Sequence, residues 1–337
     1  MRIAIDAMGG DHAPGEIVAG TLQAAALHPD AEYVLVGDEA ALLPLVALGA
    51  RPANVRVHHA PDVIEMDDDP ARAVRRKPNS SLVSACRLVA EGSADGVFSA
   101  GNTGAVAATA LLTLGRVAGV SRPCIAAPMP TRTGRAVLCD AGATVDSRPE
   151  WVVQFAIMAS LYAEHVEGTA NPRVALLNIG EEACKGNSDS RAAHELLTAA
   201  GVNFVGNVEG KAVFRGDCDV VACDGFYGNL LLKIAEGAGE FVVGLLKEAL
   251  VSSPRAKLAG WLARPSLRRL KTVMDYAEYG GAVLLGVKGL VLIGHGCSHA
   301  RAIVSALERA REAVGHGLVE HLTQRFAAND ASVADEA

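Results

Sequence analysis

Short runs of apolar, β-favouring residues alternate along the chain with Ala/Leu-rich stretches of helical length. The runs are RIAID (2–6), EYVLVGD (32–38), NVRVHHA (54–60) and DGVFSAG (95–101), then CIAAPMP, AVLCDAG, RVALLNIG, NFVGNV, DVVACDG and GLVLIGHG. Most are apolar throughout rather than at every second position, which is the pattern of strands buried on both faces. Their alternation with helices predicts βαβ units and an α/β fold with a doubly wound, largely parallel sheet. Ligands bind beyond the carboxyl ends of such strands. The unusual polar residues fall there, in DAMGGD (6–11), AGNTGA (100–105), DAGATVD (140–146), NIGEEACKGN (178–187), DGFYGN (224–229) and GHGCSH (294–299). Six such loops predict one shared cleft.

The chemistry of those loops narrows the ligand. The stretch SAGNTGA (99–105) is neither a dinucleotide fingerprint nor a P-loop. Gly101, Asn102, Thr103 and Gly104 read either as an anion-binding helix start or as a capped turn. AVRRKPNSS places Arg75, Arg76 and Lys77 just before Ser80 and Ser81, which open an apolar helical run. That is a phosphate site or a solvated basic loop with a serine cap. The carboxylates of MDDDP (66–70) read mostly as a helix start, since adjacent residues in a regular element cannot all face one metal. Lys185, beside Glu181 and Glu182, either orients an oxyanion or forms a surface ion pair. Asn229 opens a long apolar helix as an amide donor to a carbonyl oxygen or as a cap. His295 and His299 flank Cys297, but no carboxylate stands at triad spacing.

Composition removes several function classes. With 337 residues, half of them hydrophobic, the chain fills one large core or two lobes. A net charge of −7 and few aromatic residues argue against nucleic-acid binding. Seven cysteines without a C-x-x-C pair suggest neither a zinc site nor a disulfide framework and fit a reducing cytoplasm. No leader-like or membrane-spanning apolar run is present, so neither secretion nor spanning is expected. Residues 251–272 differ from the rest: they hold six cations and no acid, leaving −13 (−7 less +6) on the remainder. Leu258, Trp261 and Leu262 recur at helical spacing there, predicting two short amphipathic pieces on either side of Pro265. With Arg264, Arg268, Arg269 and Lys271 they suit an anionic membrane surface, and also an acidic carrier protein or a dimer mate.

Taken in order, AIDAMGGDHAP, MDDDPARAVRRKPNSS, SAGNTGA, NIGEEACKGN, VACDGFYGNLLLK and YGGAVLLGVKGLVLIGHG resemble the acyl-carrier-protein:phosphate acyltransferases of bacterial phospholipid synthesis. The resemblance implies transfer of a long-chain acyl group from acyl carrier protein to inorganic phosphate. The acyl phosphate would pass to a membrane glycerol-phosphate acyltransferase, with no metal, nucleotide or other cofactor taking part. It further implies a three-layer α/β/α sandwich, like that of isopropylmalate dehydrogenases and phosphotransacetylases, in a homodimer at the inner face of the cell membrane. Lys185 and Asn229 match the polar positions associated with catalysis in that family. Arg75, Lys77, Ser80, Ser81 and residues 101–104 are the expected phosphate cradle. One catalytic domain, single or bilobed, is expected over 1–325, with a basic docking element at 251–280 and a disordered tail at 326–337. The rival functions are an acyl-CoA-using phosphate acetyltransferase-like enzyme, a decarboxylating dehydrogenase, and a noncatalytic membrane scaffold.

Overall fold

Each apolar run forms a strand, and one further strand joins them. In chain order these are β1 (Arg2–Asp6), β2 (Glu32–Gly37), β3 (Val55–His59), β4 (Gly96–Ser99), β5 (Cys124–Thr131), β6 (Gly134–Cys139), β7 (Val174–Leu177), β8 (Phe204–Val208), β9 (Val220–Ala222), β10 (Ala282–Leu285) and β11 (Leu290–Ile293). The helices are α1 (Gly15–Leu27), α2 (Glu39–Leu48), α3 (Pro70–Arg76), α4 (Ser81–Ala90), α5 (Thr103–Thr113), α6 (Pro149–His165), α7 (Ser188–Thr198), α8 (Gly210–Arg215), α9 (Gly225–Val251), α10 (Pro254–Met274), α11 (Ala300–Gly315) and α12 (Leu318–Ala334). This computed structural model describes residues 1–48, 52–274 and 280–334, without the side chains of residues 266, 268–274 and 328–334.

The strands make one sheet in the order β3-β2-β1-β4-β11-β10-β5-β6-β9-β7-β8. The first five are mutually parallel, and so are the last four. Between them β10 runs antiparallel to both β11 and β5, and β5 antiparallel to β6, so the two parallel halves run in opposite directions. AVLL of β10 lies inside a glycine-flanked apolar stretch, and its reversed direction had no separate signal in the sequence.

Burial on both faces follows from the unbroken apolar runs. In β1, Ile3 and Ile5 join the core under α1, α6, α11 and α12, while Ala4 joins the core under α4, α5 and α8. The first core is braced by a buried charge cluster. Glu167 takes the Arg135 guanidinium at 2.8 Å, the Arg309 guanidinium and the Tyr162 hydroxyl at 3.1 Å. Glu167 and Arg309 keep only 5% and 8% of their side-chain surface exposed.

Two expectations change here. Pro265 does not break the basic segment, because α10 continues through it as a single helix. Proline removes one backbone donor, but the Ala, Leu, Lys and Arg around it are good helix formers. The segment from 326 begins as helix, because Phe326 is buried in the core with Leu322 and α12 runs on to Ala334.

Candidate active site

A cavity of about 360 Å³ opens where the two half-sheets meet. Its walls come from the loops after β1, β4, β6 and β11, from β5, from the start of β10 and from α9 and α11.

The α9 wall is set by very close packing. Asp224 caps the helix, accepting from Phe226 N at 2.8 Å, and its other oxygen accepts from Ser147 N at 2.7 Å. The first turn then lies directly on the loop after β6. A methyl group on Gly228 would stand 1.9 Å from the Asp140 carbonyl oxygen, and one on Gly225 would stand 2.4 Å from that of Thr144. Only glycine permits this approach. The loop itself is organised by the fully buried Asp140, whose carboxylate accepts from the N–H groups of Ile125, Gly142, Ala143 and Thr144 at 2.7–3.1 Å. Burial pushes the Asp140 carboxyl up, against the four donors that favour its charged form.

This anchoring places Asn229 and Lys233, one turn apart, on the cavity. The Lys233 ammonium lies 2.8 Å from Glu236 and donates towards His295 Nε2 at 3.3 Å, so it bridges α9 to the loop after β11. Sequence reading passed over Lys233, although its spacing from Asn229 in GNLLLK put both on one helical face. The buried Ser298 also lines the cavity.

The opposite wall uses the expected phosphate cradle differently. Asp6, buried at the end of β1, accepts from the Ser99 hydroxyl at 2.7 Å, and the Ser81 hydroxyl also bonds to it. Ser81 therefore holds a buried carboxylate instead of facing a ligand. Desolvation raises the pKa of Asp6, with the two hydroxyls opposing. Ser80 is fully buried and caps α4 through Val83 N. Asn102 is committed on both ends: its oxygen caps α5 through Ala105 N at 3.0 Å, and its amide donates to the carbonyls of Met66 and Asp68. Lys77 pairs with Asp68 at 2.6 Å and holds its carboxyl below the usual range, while Asp69 caps α3. Arg75 and Arg76 are exposed on the last turn of α3, outside the lining. A methyl group on Gly104 would meet Pro70 Cγ at 2.8 Å, so that glycine serves the packing of α3 on α5. Of the expected cradle, Gly101 and Thr103 reach the cavity.

Lys185 stands on the exposed loop after β7, on the same strand-end edge as the Asp140 loop and the start of α9. It does not line the cavity, and among the described residues no carboxylate lies within salt-bridge distance of it. Beneath the Asp140 loop lie three buried thiols, Cys124, Cys139 and Cys223. Burial pushes all three up, and Cys223 Sγ donates to the Asp140 carbonyl at 3.5 Å.

The far half of α9 and the start of α10 expose apolar side chains: Phe241, Leu258, Trp261 and Leu262 are each 60–67% exposed. Arg264 is exposed as well, whereas the side chains of Arg268, Arg269 and Lys271 lie outside those described. Among the described residues no helix is long and apolar enough to cross a membrane, and no cluster of His, Cys, Asp or Glu is arranged to hold a metal ion.

Known proteins share both the sequence and the fold. The family model described as "Fatty acid synthesis protein" matches residues 1–321. A phosphate acyltransferase of Desulfitobacterium hafniense is 48% identical over 97% of this chain and 97% of its own. One from Pelotomaculum thermopropionicum is 49% identical over 96% and 94%. A phosphotransacetylase structure from Streptococcus pyogenes superposes with a TM-score of 0.63 at 16% identity, covering 93% of this chain and 94% of that one, which supports the fold alone. By sequence, over nearly its whole length, the chain belongs to the fatty acid synthesis protein family that includes these phosphate acyltransferases.

Proposed function

We propose that the protein transfers a long-chain acyl group from an acyl-carrier-protein thioester to inorganic phosphate. The observation that carries this reading is the composition of one cavity. It joins the start of α5 at Gly101 and Thr103, the amide of Asn229, the ammonium of Lys233 and an apolar wall from β5 and β11. Phosphate has an ionisation near neutrality and needs no activated serine or cysteine. The site has to hold it beside the thioester and stabilise the oxyanion that forms. A phosphate oxygen bonds to the acyl carbon as the C–S bond breaks, and the proton of hydrogen phosphate ends on the departing thiolate. The amides at the start of α5 bind phosphate, Asn229 donates to the developing oxyanion, and Lys233 and Lys185 supply positive charge from the cavity wall and the strand-end edge.

Purified protein given acyl-carrier-protein thioester is expected to consume it only when phosphate is present, without added metal or nucleotide. No turnover would sink the reading; turnover with acyl-CoA alone would move it to the acetyltransferase-like rival. Lys185→Ala is expected to lower kcat on the order of 10²-fold with melting unchanged, the range for losing one electrostatic donor. A kcat near that of the parent would return Lys185 to a solvated loop.

The exposed apolar positions of α10, with its cations, support docking on an anionic membrane surface from the cytoplasmic side. The product then goes directly to a membrane glycerol-phosphate acyltransferase. Trp261→Ala and Leu258→Glu are expected to weaken flotation with anionic vesicles, and so is charge reversal at Arg268, Arg269 and Lys271, at about 1 kcal/mol per cation near the surface. A carrier-protein surface predicts instead a raised KM for acyl carrier protein in a lipid-free assay. A homodimer contact predicts a shift of the Trp261→Ala variant towards monomer in sedimentation.

A further inference from the structure

At the strand-end edge that carries the Asp140 loop, two guanidinium groups share one indole. The Arg122 guanidinium carbon lies 4.9 Å from the centre of the Trp151 ring, and that of Arg148 lies 5.4 Å from it. The two charges are therefore no more than about 10 Å apart, roughly one screening length in ~0.1 M salt. Both arginines are exposed, and neither side chain forms a hydrogen bond or ion pair among the described residues. Asp146 and Glu150, the acids next to Arg148 in sequence, are exposed as well and form no ion pair among the described residues.

The pair is held in place from α6. Trp151 lies in its first turn, half-buried against the core. Three residues further on, Gln154 grips the loop before β5: its oxygen accepts from Ser121 N at 2.8 Å, and its amide donates to the Gly119 carbonyl at 2.9 Å. The Arg116 guanidinium donates to the carbonyls of Val120 and Ser121 in the same loop. Arg122 follows directly, so one helix fixes both guanidinium groups. Arg116 and Lys288, whose backbone N–H donates to the Gly115 carbonyl at 3.0 Å, add two more exposed cations without an ion pair among the described residues. A guanidinium already stacked on an aromatic face loses less freedom when it meets an anion.

This surface adjoins the cavity. Ser147, just before Arg148, donates to the Asp224 carboxylate that caps α9, and the Thr144 hydroxyl donates to the Pro123 carbonyl at 3.1 Å. Arg122 stands three residues before Ile125, which lines the cavity, so their Cα atoms are at most ~11 Å apart.

We propose that Arg122 and Arg148, with Arg116 and Lys288 beside them, dock the acidic surface of the carrier protein that brings the thioester. This rests on the acyl-transfer reading given above. The thioester hangs from its carrier on a flexible arm, so the protein part stays at this edge while the reacting carbon enters the cavity. Charge complementarity here sets encounter and orientation and leaves the chemical step alone. Trp151 is half-buried with the guanidinium groups over its ring, in contrast to the 67% exposed Trp261 of α10, so lipid insertion does not suit this edge.

The test compares the parent with a variant carrying both Arg122→Glu and Arg148→Glu in a lipid-free assay. The substrates are the acyl-carrier-protein thioester and the same acyl group on free pantetheine, which lacks the protein. The variant is expected to raise KM for the carrier thioester at least about tenfold, with kcat, KM for phosphate and kcat/KM on the pantetheine thioester within about twofold of the parent. Added salt is expected to raise the parent's KM for the carrier thioester and to change the variant's less. If the double reversal does not fold, Arg122→Ala and Arg148→Ala are each expected to give a smaller rise in the same KM. Folded variants with an unchanged KM for the carrier thioester, or with equal losses on both thioesters, would overturn the inference while leaving acyl transfer intact. Release from anionic vesicles, or a shift towards monomer, with the carrier KM unchanged would assign the edge to lipid or to a second copy and overturn it too. A parent that consumes neither thioester would instead overturn the proposed function.

Discussion

Replacing Asn229 by Ala is expected to lower kcat by 10²- to 10³-fold, corresponding to the loss of one preorganised donor to an oxyanion. The thioester KM should move little, because the interaction strengthens as charge develops on the carbonyl oxygen. Stability should hardly change. Asn229 is exposed, and its amide has no hydrogen-bond partner among the described residues, whereas the capping of α9 is done by Asp224. Steady-state kinetics with a thermal melt of the same sample checks both halves of this. A folded variant with kcat within about fivefold of the parent would mean that Asn229 only lines the wall.

The largest loss of stability is expected outside the cavity lining, less than one turn further along α11. Arg309→Met should cost about 3–5 kcal/mol, the range for breaking a buried ion pair from one side. It strands Glu167, which is 5% exposed and would keep only Arg135 and the Tyr162 hydroxyl. The buried carboxylate is then balanced only by Arg135, whose side chain is 41% exposed, so adding Glu167→Gln to Arg309→Met should recover part of the loss. Denaturant unfolding of both single variants and the double variant measures this. Equal stability of Arg309→Met and the parent would show that water reaches Glu167 and screens it.

Much of the fold was legible because most strands buried on both faces announce themselves as unbroken apolar runs, and all ten β-favouring runs, the more polar NVRVHHA and NFVGNV among them, became strands. The antiparallel β10 was not, since nothing in AVLL encodes direction and its pairing depends on partners more than 150 residues away in β5. The site was half legible. Five of the six polar strand-end loops contribute to the cavity and the loop of Lys185 does not, and composition does not tell a free polar group from a committed one. Ser80, Ser81 and Asn102 look like ligands in the sequence and are spent on a helix cap, a buried carboxylate and a neighbouring loop. Asp140 and Asp224 show the reverse: neither lines the cavity, yet they fix the position of the helix that carries Asn229 and Lys233.

The three thiols under the Asp140 loop give the protein a built-in clock for local opening. Cys124, Cys139 and Cys223 are buried and held protonated, so a thiol reagent reaches them only when the floor of the site lifts. The exposed Cys184 would label at once and serve as an internal reference in the same sample. When opening and closing are fast, a ligand that binds only the closed form slows the buried signal by the factor 1 + [L]/Kd. The order in which phosphate and thioester tighten the floor is thus readable from unmodified protein by mass spectrometry, without an assay for turnover.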